Sequence, residues 1–249
     1  MALARLGFAD GKAGAVIFVG LDLAWSVHRP SGVVLLEDHA PSGRLRILEA
    51  RVLSGHPEVR AFLATLSPPQ NFGILADAPL MGTGPFRRAD RALLRFLRPW
   101  RIGVLPIGRL DFRPIVRQLQ SQGFALYPPD PAYRCRQGGW VVEVYPQATA
   151  VGLVGDRLPY KRGRKAEQRR AWNAFWRKVL RRLAPLGLYP EPPGGLENVH
   201  LQDAWVAALG GAAACLTGRA RRFPEDPGPG EAYIWVPWLL ESRGEATAP

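Results

Sequence analysis

Apolar residues cluster in short runs separated by Gly, Pro and charged positions, a pattern of alternating strands and helices. Residues 15–23 (AVIFVGLDL) are β-branched, bounded by Gly and too short for a helix, so they predict a buried first strand. Residues 32–36 and 45–53 predict two more strands, with 39–43 as the turn between them, giving an antiparallel meander. Val59, Phe62, Leu63 and Leu66 then fall on one helical face, opened by Pro57 and stopped before Pro68 and Pro69. Residues 72–76 predict a fourth strand, and a helical crossover joins parallel neighbours, so it should lie parallel to one of the first three.

Farther along, 87–97 and 112–122 predict helices, 140–145 (WVVEVY) a fifth strand closed by Pro146, and 166–184 an amphipathic helix. That last helix carries Trp172, Phe175, Trp176, Val179, Leu180 and Leu183 on its apolar stripe, which assigns both tryptophans to the core. Residues 201–219 are rich in Ala and Gly and predict a helix able to lie close against a sheet. Residues 233–236 predict an edge strand, and 241–249 a polar tail. The fold class is thus α/β: a mixed sheet, an antiparallel three-strand meander plus parallel strands, flanked by helices. No internal repeat or domain linker interrupts it, so the expectation is one domain with helical insertions at about 85–135 and 157–195.

Charge sharpens this picture. The 249 residues carry a formal net charge of +12 and are 47% hydrophobic, which excludes a disordered chain. Eleven basic residues and a single acid, Glu167, lie between Arg157 and Arg182, so nearly all of the excess sits in one segment. Such concentration is the footprint of a polyanion binder, here nucleic acid, DNA or RNA, or else a solvated helix face. Lys161, Arg162, Arg164 and Lys165, in and next to the predicted loop, are the candidate phosphate contacts. No apolar run approaches the roughly 20 residues of a membrane span, and the two cysteines, Cys135 and Cys215, have no metal-like spacing. Both features point to a cytoplasmic protein with free thiols.

Three acids interrupt or end apolar strands: Asp22 in VGLDLAW, Asp77 in ILADAPL and Glu143 in VVEVYP. A fourth, Asp203, opens the small-residue helix. An ionised carboxylate withdrawn from water needs a hydrogen bond, a counter-charge or a metal ion. Alternation puts Phe18, Gly20 and Asp22 on one face, so Gly20 leaves room for a ligand beside Asp22. With the first and fourth strands adjacent and parallel, about 4.8 Å apart, Asp22 and Asp77 converge, and a helix laid across them delivers Asp203. Oxygen ligands of this kind select Mg²⁺ or Mn²⁺. Glu143 either joins that metal site or pairs with an arginine.

Seven fragments in order resemble the domain-of-unknown-function 429 (DUF429) family, a group of predicted nucleases of RNase H-like fold: VGLDLAWS (19–26), ADAPL (76–80), RRADRALLR (87–95), EVYPQA (143–148), YKRG (160–163), QDAWVAAL (202–209) and IWVP (234–237). The resemblance implies an RNase H-like mixed sheet with metal-binding acids at Asp22, Asp77 and Asp203, and places Glu143 and Lys161 in family motifs, the first as a possible further ligand and the second as a holder of substrate phosphate. The expected activity is a metal-dependent phosphodiester hydrolysis in which Asp22, Asp77, Glu143 and Asp203 are the catalytic set. The rival expectations are a nucleic-acid binder without turnover and an actin-like phosphotransferase, the latter disfavoured by Trp25, which stands where such enzymes need small residues. The four histidines show no ligand spacing, and no GxSxG element suggests a serine hydrolase.

Overall fold

The computed structural model describes residues 15–39, 42–66, 72–82, 85–104, 112–128, 139–158, 164–193, 198–228 and 230–240. Ile17–Asp22 (β1), Ser31–His39 (β2) and Arg44–Leu53 (β3) form the expected antiparallel meander. The helix His56–Ala64 (α1), with Pro57 in its first turn, leads to Phe72–Asp77 (β4), which pairs parallel with β1. Arg88–Leu97 (α2) and Arg113–Ser121 (α3) follow, then the short strand Ala125–Leu126 (β5) and Trp140–Glu143 (β6), parallel to β4. Pro146–Val154 (α4), Lys165–Leu183 (α5), Tyr189–Pro190 (β7), Val199–Thr217 (α6), Ala220–Phe223 (β8) and Ile234–Pro237 (β9) complete the chain. The nine strands make one sheet in the order β7-β3-β2-β1-β4-β6-β9-β8, with β5 beside β6. Its centre, an antiparallel meander continued on the β1 side by parallel β4 and β6, is the RNase H-like mixed sheet that the sequence led us to expect.

Packing, more than propensity, sets the details. β1, β4 and β6 are buried along nearly their whole length, because strands at the middle of a covered sheet are apolar on both faces. α6 is buried from Leu201 to Ala214 and apolar on every side, as a helix between two layers must be. Its sheet-facing side is made of small residues: a Cβ placed on Gly20 would stand 1.8 Å from the Ala204 carbonyl oxygen and 2.8 Å from the Ala208 nitrogen. At Gly32 the same test meets the His200 carbonyl oxygen at 2.2 Å. On another side of α6, Trp205 takes the edges of Trp172 and Trp176 from α5, at centroid distances of 5.6 and 5.2 Å, so the amphipathic helix docks through the tryptophans assigned to its core face. A second cluster joins Leu93 and Leu97 of α2 to Val151 of α4 and to Phe223, Ile234 and Val236 of β8 and β9.

Four expectations change. The space beside Asp22 at Gly20 is filled by the backbone of α6 rather than left for a ligand, which is why the residue must be Gly. Pro146 does not merely end β6 but occupies the first turn of α4, where its missing N–H is no loss. β9 is internal, because β8 pairs with it from outside in an antiparallel register that no run of apolar residues in ARRF announces. Cys215 is disulfide-bonded, so cysteine usage no longer argues for a reducing compartment. No helix among the described residues is long and apolar enough to cross a membrane.

Because Gly20 is the contact at which α6 approaches the sheet, Gly20→Ala should destabilise the fold by roughly 2–3 kcal/mol or more through overpacking. Urea unfolding of the purified variant measures this, with a smaller loss expected at Gly103→Ala, where an added Cβ meets nothing within 4 Å.

Candidate metal centre

Parallel pairing of β1 with β4 runs in a register that sets Asp22 directly beside Asp77 at the carboxyl ends of the two strands. The close approach of α6 at Gly20 brings the N-terminal half of the helix over the same point, and Asp203, its fifth residue, enters from there. One oxygen from each of Asp22, Asp77 and Asp203 lies within 4.8 Å of the other two. Asp203 is 3% exposed, while Asp22 and Asp77 are half-buried at the mouth. Burial raises the Asp203 carboxyl far above the ordinary aspartate range, and the like charges of Asp77 and Asp22 push it further in the same direction. The same burial, with Asp77 and Asp203 nearby, raises Tyr145 and keeps it a phenol, which donates to the Gly103 carbonyl oxygen at 2.7 Å. Three carboxylate oxygens on rigid elements could hold a metal ion, whose charge would offset the repulsion that these carboxylates otherwise impose.

The structure brings the three aspartates together as expected and gives Glu143 different company. Glu143 is 2% exposed and takes both terminal nitrogens of Arg87, each at 2.6 Å. The Tyr127 hydroxyl donates to it as well. The backbone N–H of Leu80 donates to it at 2.6 Å and that of Met81 at 3.4 Å. Arg87 also donates to Asp90 through its Nε (3.0 Å) and to the Met81 carbonyl oxygen (2.7 Å). Burial opposes the Arg87 charge, but Glu143 and Asp90 outweigh it and hold the guanidinium protonated. Burial likewise lifts the Glu143 carboxyl, with Arg87 restraining the rise. Glu143 therefore ties down the turn Ala78–Met81 that follows Asp77, and of its two possible roles in the sequence the pairing with arginine is the one seen.

Of the candidate phosphate contacts, Lys161 and Arg162 lie outside the described residues. Arg164 and Lys165 are exposed at the start of α5, with the Arg164 N–H donating to Glu167 at 2.8 Å. Upstream of them, Leu158 is hydrogen-bonded through its N–H to Gln147 (3.0 Å), and Gln147 lines the cleft. Lys178 on α5 is paired with Asp156 at 2.6 Å.

Sequence reasoning missed His200. Its Nδ1–H donates to Asp22 Oδ2 at 2.6 Å, the tautomer following from a carboxylate that only accepts. The signal was available: His200 and Asp203 are three apart on one helix and so share a face. Arg87 and Tyr127 were less accessible, because a buried glutamate announces the need for a cation without naming which of many arginines supplies it.

The triad forms the floor of a cleft of about 340 Å³ whose walls include Trp25, Pro79, Arg87, Tyr145, Val199 and His200. The chain matches the family model described as "Protein of unknown function (DUF429)" over residues 20–228, a span that contains Asp22, Asp77 and Asp203. No curated protein matches it.

In the metal-free protein, the raised Asp203 carboxyl holds its proton more tightly when folded than when unfolded, so it favours the folded state at low pH, and that contribution is lost as pH rises through the folded value. Asp203→Asn should therefore stabilise the metal-free protein at neutral pH by roughly 0.5–2 kcal/mol, a gain that vanishes in acid; thermal melts across pH with chelator present check this. Glu143→Gln should instead destabilise by about 3 kcal/mol, because it strips a buried charge from Arg87, as denaturant titration would reveal.

Proposed function

The chain belongs to the DUF429 family, and we propose that it is a divalent-metal-dependent nuclease that hydrolyses phosphodiester bonds in DNA or RNA, with Mg²⁺ or Mn²⁺ held by Asp22, Asp77 and Asp203. The observation that carries this reading is the convergence of three carboxylates, one of them almost wholly buried, at the strand ends of one sheet. Ligands in open α/β sheets bind at that end. Divalent ions bound there would activate the attacking water and stabilise the leaving oxygen.

The surrounding charges favour the same conclusion. Among the described residues that line the cleft, the arginine is Arg87, matched by Glu143 and Asp90, while His200 donates to Asp22. A phosphodiester meets a net negative floor there and can approach only when metal ions bridge the two. Asp22, Asp77 and Asp203 hold those ions. His200 fixes the carboxylate of Asp22, and Arg87 with Glu143 fixes the turn after Asp77. The exposed cations of α5, among them Arg164, Lys165, Arg170 and Arg177, supply long-range attraction for a polyanion without touching the chemistry.

Asp22→Ala should abolish Mg²⁺- or Mn²⁺-dependent cleavage of oligonucleotides while leaving the circular dichroism spectrum and thermal melt native-like. Cleavage persisting in that folded variant would defeat the assignment. Calorimetry with Mn²⁺ separates an enzyme from a bare nucleic-acid binder, since uptake should occur in the wild type and be lost in Asp22→Ala. Affinity for nucleic acid should fall steeply with salt, as counterion release requires.

A further inference from the structure

One wall of the cleft is not needed to hold metal. Trp25 follows Asp22 by three residues, lines the cleft and is 41% exposed, an unusual state for the largest apolar side chain. Its ring meets no other aromatic ring among the described residues. Val199, also exposed, continues the same apolar lip from the first turn of α6. Exposure does not arise here from a loose loop. The N–H of Ala24 donates to the buried Ser31 hydroxyl at 3.0 Å, and the Ala24 carbonyl faces Nε2 of the buried His56 at 3.1 Å. The His56 N–H donates in turn to the Val27 carbonyl oxygen at 2.9 Å. Gly55, at φ 92°, lets the backbone pass so close that a Cβ there would meet that same oxygen at 2.3 Å. The segment that carries Trp25 is thus pinned on both sides, and its aromatic face is held ready beside the aspartates.

Resting on the nuclease reading, we propose that the cleft admits one unpaired nucleotide, with its base stacked on Trp25 and its phosphate over Asp22, Asp77 and Asp203. A platform of this kind is sequence-tolerant, because every base has a π face. The volume of about 340 Å³ is at the lower end for small-ligand pockets. It matches about one nucleotide unit, and stacking on Trp25 needs a base whose face is free of its neighbour. The substrate class is therefore single-stranded DNA or RNA, or a strand end whose terminal base is released from its stack, as in enzymes that act on extruded bases. Trp25 is a specificity residue: it touches the base and leaves the reacting phosphate to the aspartates.

The test is binding of short oligothymidylate and oligouridylate, and of a blunt duplex, to the full chain with Ca²⁺ in place of Mg²⁺, followed by anisotropy for the wild type, Trp25→Ala and Trp25→Phe. Mn²⁺ uptake by calorimetry is measured in parallel on each. The expected result is weaker single-strand binding by about tenfold in Trp25→Ala, largely restored in Trp25→Phe, with Mn²⁺ uptake and the thermal melt unchanged. In the wild type, the single strands should bind more tightly than the duplex under the same conditions. Equal affinity of Trp25→Ala and wild type, or a duplex bound as tightly as the single strands, would overturn the stacking proposal. Absence of Mn²⁺ uptake by the wild type would instead remove the nuclease reading beneath it, so the two failures read differently. Thymidine monophosphate serves as a further arm: binding of the free nucleotide as tightly as the oligonucleotide would identify a mononucleotide rather than a strand as the occupant and overturn the proposal.

Discussion

Mutual repulsion among three carboxylates is the constraint around which this molecule is arranged. Asp22 and Asp77 are side by side because β1 and β4 pair in register, and Asp203 joins them because α6 lies against β1 with no side chain between. Each placement is enforced by packing energy from elsewhere: the apolar strands, the Ala-rich face of α6 and the tryptophan contacts that press α5 onto it. The rest of the core therefore stabilises the gathering of like charges, which by itself opposes folding. A site held in this way against its own electrostatics could hold a metal ion.

The acids near the cleft divide into two kinds. Asp22, Asp77 and Asp203 face one another, whereas Glu143 and Asp90 face Arg87. The second group is a buried bracket with donors from Arg87, Tyr127 and the backbone N–H groups of Leu80 and Met81, so little of its capacity remains for a metal. Its place in the molecule is to set the course of the chain after Asp77. Charge that looks equivalent along the sequence thus serves opposite purposes: one set is compensated inside the protein, and the other presents a negative floor to whatever enters.

The long basic stretch is separate from both. α5 contributes no residue to the lining of the cleft among those described, and its apolar stripe is consumed by α6. What remains outward on α5 is positive surface. On the proposed reading, the negative centre is where the polyanion reacts and the positive flank is where its length is attracted.

Much of this was legible along the chain. Period-two and period-3.6 patterning marked the meander, the crossover and the long helices, because burial of one face leaves a local signature. Asp22, Asp77 and Asp203 stood out because an acid within an apolar run is energetically conspicuous wherever the run folds. By contrast, the pairing of Glu143 with Arg87, the contact of His200 with Asp22, the filling of the Gly20 gap by α6 and the internal place of β9 are long-range choices between partners that local sequence leaves equivalent. Sequence determined which residues are costly to bury and which elements they sit on. Tertiary structure alone decided which neighbour relieves each of them, since that depends on strand register and on how closely a helix backbone can approach a sheet.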